Sequence, residues 1–395
     1  MLTLVTNVAP GRTPGKVLSV YLSILVLAAC PSLIRSEKSV RFAVIGDYGS
    51  ASRSEQDVAE LVKSWRPDFI ITTGDNNYPS GDAFTIDANI GQYYHAYIFP
   101  YLGGYGEGAD TNRFFPSLGT HDYYCYECPQ PYLDYFELPG NERYYDFTWG
   151  PAHFFAVNSN EFEPDGTDST SVQALWLKEQ LSSSIKNFRF VYVHHAPYSS
   201  GPHGSTFRMR WPYRKWGVDA VFSGHDHVYE RIKQDNVLYL VNGLGGDSRY
   251  AFPDSIEGSE FRYSHDFGAM LVEVSPKSAV FRFINRNGEV IDAHEYGKYA
   301  ERYDNGQLKA QWRMKDGDFD GIQTQWYRSG RKKGEWNYTG GELDGKQIQW
   351  YENRRLKLEH YYHDGVPVGK WTEWHENGFV KGEWYFEGGK EITRR

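Results

Sequence analysis

Two histidines separated by a single residue, His225 and His227, follow directly after the apolar run at residues 220–222. A strand that ends in a tight glycine turn can direct two such imidazoles into one small volume, and paired imidazoles are ligands that transition metals select. The sequence Gly-His-x-His is weak evidence when it stands alone, because a polar loop explains it equally well. Its interpretation therefore depends on whether other potential ligands occur in similar settings.

Four other segments of the chain place potential metal ligands at the end of a strand-like apolar run. The runs at residues 40–45 and 69–73 are joined by a helical pattern at 54–65, which predicts a βαβ unit with parallel strands. Asp47 and Asp75 each follow the carboxyl end of one of these strands, so they are expected to share one sheet edge. Ligands of open α/β sheets bind at this edge. In chain order, the segments are Gly46-Asp47, Gly74-Asp75 with Tyr78, Gly119-Thr120-His121-Asp122 and His194-His195-Ala196-Pro197.

Carboxylates, imidazoles and a phenol in such positions form a donor set for metal ions. Two metal ions about 3.5–4 Å apart can clamp the attacking and leaving oxygens of a phosphoryl transfer. A centre of this kind needs one carboxylate that bridges the two ions, with hard oxygen and imidazole donors around it. The donor set is therefore compatible with phosphoryl transfer at a pair of metal ions.

Taken together, these motifs resemble those of the calcineurin-like metallophosphoesterases, most closely the purple acid phosphatase branch that includes the tartrate-resistant acid phosphatases. The resemblance covers roughly residues 41–293. It implies an α/β fold in which a two-sheet β-sandwich is flanked by helices. It also implies phosphomonoester hydrolysis at acid to neutral pH, with a metal-bound hydroxide as the nucleophile. The motifs are Gly-Asp-x-Gly, Gly-Asp-Asn-x-Tyr, Gly-x-His-Asp, His-x-Pro and Gly-His-x-His.

The resemblance also implies a role for each ligand. The phenolate of Tyr78 is a hard anionic donor suited to ferric iron, so Fe³⁺ is expected at the first site and Fe²⁺, Zn²⁺ or Mn²⁺ at the second. The family usually has asparagine where this chain has Thr120, whose hydroxyl is a shorter and weaker donor. The second site is therefore expected to bind its metal more loosely, through water, or only in part. The implied ligands are Asp47, Tyr78 and His227 for the first metal, Asp75 as the bridge, and His195 and His225, with Thr120, for the second.

Two further histidines match catalytic positions of the family. His121 is expected to contact the substrate phosphate, and His203, in a Gly/Pro-rich loop, is expected to be a second such histidine. An imidazole with a pKa near 6.5 can protonate an alkoxide leaving group at mildly acidic pH. Strand alternation predicts that His194 points away from His195, as a supporting or core residue. Three histidines outside the motifs have no expected role: His95, His153 and His265.

A different pattern begins near residue 301. Tyrosines, glycines and tryptophans recur every 24 residues, as in Trp326, Trp350 and Trp374. Each unit contains two short aromatic runs separated by turn sequences, which predicts a β-hairpin, and a fixed period predicts stacked repeats. Such hairpins bury their aromatic faces against neighbouring units, so a solenoid is expected. The units resemble MORN-type repeats. The resulting prediction is an all-β hairpin-repeat module at residues 301–391.

The N-terminus has the composition of an export signal. Arg12 and Lys16 precede an apolar stretch that is too short to span a membrane comfortably and ends in Leu-Ala-Ala-Cys30. That ending resembles a bacterial lipobox, which implies a lipoprotein signal peptide at residues 1–30 and a lipid anchor at Cys30; an ordinary signal peptide is the alternative. A signal peptide with a lipid anchor predicts localisation in the bacterial cell envelope. In that oxidising compartment, Cys125 and Cys128 are expected to form a small disulfide loop, with free thiols as the alternative.

Composition narrows the possible partners. The formal net charge is −9, which argues against a nucleic-acid partner. The predicted organisation is a metallophosphoesterase domain at residues 38–296 followed by the repeats, which could bind a protein or envelope partner. Two alternatives to phosphomonoester hydrolysis stay open: phosphodiester hydrolysis at the same centre, and a non-enzymatic envelope interaction protein that works through its repeats.

Overall fold

The computed structural model describes residues 39–394 except 304, 306, 316 and 317. The predicted signal segment at residues 1–30, with Cys30, lies outside the described residues, as do the repeat positions Asp304, Gly306 and Gly317. Within the described part of the chain, no helix is long and apolar enough to cross a membrane.

Five α-helices lie among the described residues. The first begins at Ser52, whose side chain accepts a hydrogen bond from the backbone of Glu55, and the fourth begins at Ser171 in the same way. The first of these two was predicted from sequence at residues 54–65, within one residue of its observed ends. The helices are α1 Arg53–Ser64, α2 Gln92–Tyr94, α3 Gln130–Tyr135, α4 Val172–Ser183 and α5 Tyr213–Trp216; a π-turn at Asp87–Gly91 and 3₁₀-turns at His95–Tyr97, His121–Tyr123 and Phe207–Met209 complete the helical segments.

Twenty-four strands are described, and they form two sheets. The strands are β1 Val40–Ile45, β2 Phe69–Thr72, β3 Phe114–Pro116, β4 Tyr145–Trp149, β5 Ala152–Val157, β6 Phe188–His195, β7 Ala220–Gly224, β8 Tyr229–Gln234, β9 Val237–Asn242, β10 Ser259–Tyr263, β11 Gly268–Val274, β12 Ser278–Asn285, β13 Val290–Arg302, β14 Leu308–Lys315, β15 Asp318–Phe319, β16 Gly321–Trp326, β17 Lys332–Thr339, β18 Glu342–Leu343, β19 Gly345–Trp350, β20 Leu356–His363, β21 Val366–Pro367, β22 Gly369–Trp374, β23 Val380–Glu387 and β24 Lys390–Arg394.

Both sheets are mixed. In the first, β3, β2 and β1 pair in parallel, and β1 then pairs antiparallel with β11, followed by β12 and β13. In the second, β5, β6, β7 and β9 pair in parallel, with β4 antiparallel at one end and β8 and β10 antiparallel at the other. The ligand-bearing segments that follow β1, β2, β6 and β7 therefore all leave the carboxyl ends of parallel strands.

Aromatic side chains fill the space between the two sheets. Phe42 of the first sheet stacks on Phe69 at 5.1 Å between ring centroids and meets Phe154 of the second sheet edge-on at 5.0 Å. A second apolar cluster lies between the second sheet and α4, where Leu177 and Leu181 are buried. The apolar runs that precede the motifs are thus core strands, and their burial holds the sheet edges that carry the polar residues.

The hairpin repeats continue the first sheet without a break. The N-terminal part of β13 pairs with β12 up to Gly297, and its C-terminal part pairs with β14 from Gly297 onward. Further hairpins then add on as one antiparallel ribbon through β24. The association of repeats that the 24-residue period predicts thus takes the form of hydrogen-bonded edge pairing. β13 crosses the boundary predicted at residues 296–301.

A hydrogen bond from a tyrosine hydroxyl to a tryptophan carbonyl recurs once per repeat along the ribbon. The hydroxyl of Tyr327 donates to the carbonyl of Trp350 at 2.9 Å, and the hydroxyl of Tyr351 donates to the carbonyl of Trp374 at 2.8 Å. The hydroxyl of Tyr303 makes the same bond to Trp326. Because each tyrosine lies one repeat before the tryptophan that it contacts, the bond links each unit to the next.

Cys125 and Cys128 form a disulfide, as predicted. It closes a four-residue loop directly after the segment that carries His121. We expect the double substitution Cys125→Ser, Cys128→Ser to lower the free energy of unfolding by about 2 kcal/mol, the loop-closure entropy of so short a loop. Urea denaturation with and without reductant measures this difference. The reductant should destabilise the wild type by the same amount and leave the variant unchanged; equal stability of the two proteins in oxidising buffer would contradict the prediction.

Candidate metal centre

Two carboxylates and a histidine converge in a buried cluster. Asp47 follows β1 and Asp75 follows β2, and the parallel pairing of these strands brings the two carboxylates together. Three potential ligand atoms, one from each of these carboxylates and one from His227, all lie within 4.8 Å of one another. The exposure of Asp47 is 0% and that of Asp75 is 2%. Because buried carboxylates need a positive partner, this cluster is a candidate cation site.

The phenol of Tyr78 completes the first group of donors. Its hydroxyl donates to Asp75 Oδ2 at 3.1 Å and lies 3.2 Å from Nε2 of His227. Burial raises the pKa of Tyr78 well above its ordinary value, and the charges of Asp75 and Asp47 raise it further. Burial lowers the pKa of His227, but its hydrogen bond to Asp47 and the nearby carboxylates outweigh this and raise the pKa overall. The neighbouring carboxylates therefore contribute to both shifts.

Three residues at the site have backbone conformations that residues other than glycine rarely adopt. Asp47, Asp75 and His225 have φ values of 55°, 51° and 69°. Such left-handed residues cost of order 1–3 kcal/mol each and cluster at functional sites. The backbone nitrogen of His225 donates to both oxygens of Asp47, at 3.1 and 3.0 Å, so the strained turn after β7 is tied to the turn after β1.

Close approach of these turns explains why glycine precedes each one. A Cβ atom at position 119 would lie 2.0 Å from the backbone nitrogen of Asp75, and one at position 224 would lie 2.4 Å from Oδ2 of Asp47. No side chain fits at those distances. The glycines at positions 119 and 224 thus stand where neighbouring turns approach too closely for a side chain.

A second group of donors lies on the other side of Asp75. Nε2 of His195 is 3.3 Å from the hydroxyl of Thr120, and the rings of His195 and His225 are 4.3 Å apart. Nδ1 of His195 hydrogen-bonds the hydroxyl of Ser159 at 2.8 Å. Burial lowers the pKa of His195 to about 2, and it lowers the pKa of His225 further still. Both imidazoles are therefore neutral, which is the form that binds metal.

His194 belongs to this second group, and the prediction that it points away from His195 is wrong. β6 and β7 pair Val193 with Ser223 but His195 with Gly224, so the register skips His194. This bulge turns both imidazoles toward the site, with ring centroids 5.0 Å apart. Nδ1 of His194 donates to the carbonyl of Thr73 at 2.9 Å, while Nε2 lies 3.4 Å from Oδ1 of Asp75.

The two histidines predicted to be catalytic lie at the rim of the donor groups. Nδ1 of His121 donates to the carbonyl of Pro79 at 2.6 Å, and its ring packs on Tyr78 with centroids 4.3 Å apart. The backbone of His121 donates to Oδ1 of Asp75. His203 is exposed, and its ring lies 4.3 Å from that of His225. The two histidines therefore approach the centre from different sides, one near each donor group.

The sequence analysis missed three residues that hold the site in place: Asp122, Ser159 and Ser248. Asp122 accepts hydrogen bonds from the backbones of Asn76 and Gly119, and so ties the second and third motifs together. Ser248 hydrogen-bonds Nδ1 of His227 at 2.6 Å. Asp122 lies inside a quoted motif, so its position was a usable signal, whereas Ser159 and Ser248 lie in loops with no motif. Partners of this kind orient the imidazoles of metal sites.

The motif Gly-His-x-His carries a further supporting residue at its centre. Asp226 is buried, and its carboxylate accepts hydrogen bonds from the hydroxyl of Ser199 and the backbone of His203. It therefore fastens the Gly/Pro-rich loop beside the two histidines of the motif. His153, by contrast, pairs with Asp146 and Ser184 away from the centre.

The donor set fits two metal ions. Oδ2 of Asp75 faces Tyr78, and Oδ1 of the same carboxylate faces His194, so one carboxylate separates two groups of ligands. Within the described chain, the ion pairs found for Asp47 and Asp75 are with His227 and His194. Carboxylate, phenol and imidazole groups together suit iron, zinc or manganese.

A family profile and several known proteins match the part of the chain that carries the motifs. Residues 40–229 match the profile of the calcineurin-like phosphoesterase family. Purple acid phosphatase 17 of Arabidopsis thaliana is 26% identical over 250 residues, covering 53% of this chain and 70% of that protein. Tartrate-resistant acid phosphatase type 5 of Mus musculus is 23% identical over 296 residues, covering 64% of this chain and 88% of that protein.

Among solved structures, a purple acid phosphatase from yellow lupin (Lupinus luteus) seeds has a similar fold. The match has a TM-score of 0.53 and 18% identity, and it covers 65% of this chain and 53% of that one. Residues 40–229 thus match the calcineurin-like phosphoesterase profile and contain the buried cluster of two aspartates and a histidine, and this part of the chain is distantly similar to the purple acid phosphatases.

Proposed function

We propose that this domain hydrolyses phosphate monoesters at a centre that holds two metal ions. The observation that carries the proposal is the position of Asp75, whose two carboxylate oxygens face separate groups of donors. Asp47, Tyr78 and His227 would hold the first ion. His195 and His225, with Thr120 beside them, would contribute to the second.

The bound ions would supply charge to neutralise the phosphate oxygens and to activate a water molecule. The chain's own residues would orient the ester and move protons. The hydrogen bond from Nδ1 of His121 to Pro79 leaves Nε2 as the nitrogen that can face a substrate oxygen. His203, exposed at the rim, is suited to protonate the leaving alkoxide.

The function is tested by measuring metal content and hydrolysis on one purified sample. We expect two metal ions per chain and faster turnover of p-nitrophenyl phosphate than of bis(p-nitrophenyl) phosphate. Faster turnover of the diester would instead identify a phosphodiesterase. Two bound metal ions with no turnover of either ester would favour the non-enzymatic alternative.

Tyr78 provides a spectroscopic prediction. If the first ion is Fe³⁺, the phenolate of Tyr78 gives the protein a visible colour, and Tyr78→Phe should abolish the visible band while the other donors remain. The matched control is Tyr124→Phe, because Tyr124 is an exposed tyrosine whose ring lies 4.8 Å from that of His121. The control should keep the band. A coloured wild type whose band survives in Tyr78→Phe would contradict the assignment.

Two further proposals concern the C-terminal hairpin ribbon and the N-terminal segment. The hairpin ribbon is proposed to consist of MORN-type repeats that bind an envelope or protein partner, supported by the tyrosine bonds that recur once per unit. Export and lipidation at Cys30 are proposed from the sequence. Labelling of cells with radioactive palmitate, compared between wild type and Cys30→Ser, tests the anchor.

A further inference from the structure

We propose that a groove beside the metal centre binds a second phosphate group of the substrate through Arg210, together with Arg214 and Lys215. This inference rests on the proposed function, because it names the class of ester that the same centre would hydrolyse. The substrate would carry at least two phosphate groups, one cleaved at the metal ions and one held in the groove. None of the three cations belongs to a motif identified in the sequence.

The segment that carries these residues is positively charged in an acidic protein. The formal net charge of the chain is −9, yet residues 180–218 contain six lysines and arginines and no aspartate or glutamate. Among the described residues, no ion pair with a carboxylate is found for the four of these cations that lie within residues 208–215. The four are Arg208, Arg210, Arg214 and Lys215. A concentration of cations without such partners attracts anions.

The side chain of Arg210 is held in place by two rings and a carbonyl. Its guanidinium carbon lies 4.2 Å from the ring centroid of Tyr198 and 4.1 Å from that of Phe207. Nε donates to the carbonyl of Pro197 at 3.0 Å. A guanidinium has five N–H donors, and within the described residues this is the hydrogen bond that the Arg210 side chain makes. The two terminal nitrogens therefore present the fork that binds phosphate in a bidentate manner.

The same contacts place Arg210 next to the metal centre. Pro197 ends the His-x-Pro motif, and its Cα atom lies at most about 8 Å from that of His195, because consecutive Cα atoms are about 3.8 Å apart. Arg208 is tied to the same group of donors. Its Nη2 donates to the carbonyl of Ser159 at 3.0 Å, and the hydroxyl of Ser159 hydrogen-bonds Nδ1 of His195. A ligand bound at the second group of donors can therefore reach Arg210.

Arg210 also lines a groove between the domain that carries the metal centre and the hairpin ribbon. The groove has a volume of about 790 Å³, within the range of small-molecule sites. Four cationic and two acidic side chains line it, and Lys332 and Glu335 of the ribbon pair with each other. The others are Arg210, Arg214, Lys215 and Asp235. The lining therefore has an excess of two positive charges, which complements the charge of about −2 on an ionised phosphate ester.

The position of Arg210 fits the direction in which the ester would lie. His203, which is proposed to protonate the leaving alkoxide, belongs with Arg208 and Arg210 to one segment between β6 and α5. The alkoxide side of the ester would face this segment, so the rest of the leaving alcohol would extend toward Arg210 and not toward His121. A second phosphate on that alcohol would then meet the guanidinium.

The test compares two ligands that differ by one anionic group. Hexylphosphonate and hexane-1,6-bisphosphonate, which resist hydrolysis, are titrated calorimetrically into the full-length, metal-loaded protein. We expect the bisphosphonate to bind at least about 10-fold more tightly than its two equivalent ends explain statistically, since hydrogen bonds between charged groups are strong. The advantage should fall with added salt, because Arg214 and Lys215 are exposed. Linkers from propane to octane should show an optimum that reports the distance between the two sites.

Two variants locate the second phosphate. Arg210→Gln removes the fork and should reduce the advantage of the bisphosphonate to about threefold or less. This change could disturb the packing of Tyr198 and Phe207, so the exposed pair Arg214→Gln, Lys215→Gln is tested as well. It should reduce the advantage by at least about threefold, because it removes two of the charges that line the groove.

The matched control is Arg113→Gln. The guanidinium of Arg113 also lies over a tyrosine, 4.6 Å from the ring centroid of Tyr97, and also donates to a carbonyl, that of Ala96 at 3.0 Å. Arg113 precedes β3, whereas His121 follows it, so the control lies at the opposite end of that strand from the metal centre. It should keep the full advantage of the bisphosphonate.

Affinities of the two phosphonates that differ only by the statistical factor, or an undiminished advantage in either variant, would overturn the inference. Hydrolysis is measured separately, by phosphate release from 6-hydroxyhexyl phosphate and hexane-1,6-diol bisphosphate. A binding advantage that Arg210→Gln removes, with no hydrolysis of either ester, would support the inference and overturn the proposed function. Hydrolysis of both esters without a binding advantage would do the reverse.

Discussion

Replacing Asp75 with asparagine is expected to lower kcat/KM for p-nitrophenyl phosphate by at least about 10³-fold, equivalent to about 4 kcal/mol of transition-state stabilisation. The substituted protein should retain at most one metal ion. The reason is geometric: each oxygen of Asp75 faces a different group of donors, so one neutral amide weakens both sites. Steady-state kinetics with metal analysis on the same sample measures both effects.

Stability separates a lost metal site from a damaged fold. Asp75 and Asp47 are both buried and close together, so their like charges repel each other when no metal ion is bound. Removing the charge should therefore leave the metal-free protein at least as stable as the metal-free wild type. A metal ion held at 100 times its Kd stabilises the folded state by about 2.7 kcal/mol. Chelation should thus lower the melting temperature of the wild type by more than that of Asp75→Asn, which holds at most one ion.

The matched control is Asp134→Asn, which makes the same change at an exposed carboxylate that accepts a hydrogen bond from Gln130. It should retain two metal ions and full activity. If Asp75→Asn also retained both metal ions and its activity, the assignment of Asp75 as the bridge would fail.

The second large effect concerns where the chain can be cut. A protein that ends after Ala293 should be less stable by about 3 kcal/mol than one that ends after Tyr303, the lower end of the cost of deleting a large aromatic side chain, because Tyr296 is partly buried. Residues 294–297 pair with β12. The hydroxyl of Tyr296 donates to Asp219 at 3.1 Å, and its ring meets that of Phe188. Urea denaturation of both proteins measures the difference.

The longer truncation should retain the metal centre. All the proposed ligands precede residue 228. The ion pairs that it loses with the ribbon include Lys233 with Asp320, which is partly exposed, and Arg313 with the buried Asp219. Partly exposed pairs of this kind contribute about 0–1 kcal/mol each. Its unpaired edge on β13 should promote self-association at high concentration. Equal stability of the two truncated proteins would show that β13 does not tie the ribbon to the core.

The extent to which the sequence predicted the site depends on the type of signal. Asp47, Asp75 and His227 each follow an apolar run, and the structure brings their ligand atoms within 4.8 Å. Apolar runs become core strands because their burial is the main driving force of folding, so a polar residue at the end of a run is directed to a sheet edge. The supporting serines 159 and 248 gave no such signal, because loops that bring a hydroxyl to an imidazole share no pattern.

The sequence by itself determined the strand order along the chain, the polar residues at the strand ends and the 24-residue period of the C-terminal hairpins. These are local properties, set by which side chains are apolar and where glycine and turn residues interrupt them. Only the tertiary structure decided that His194 faces the centre and that β13 joins the ribbon to the first sheet. A bulge and a strand pairing depend on hydrogen bonds between segments far apart in the chain, and the side-chain pattern of one segment does not encode its partner's register.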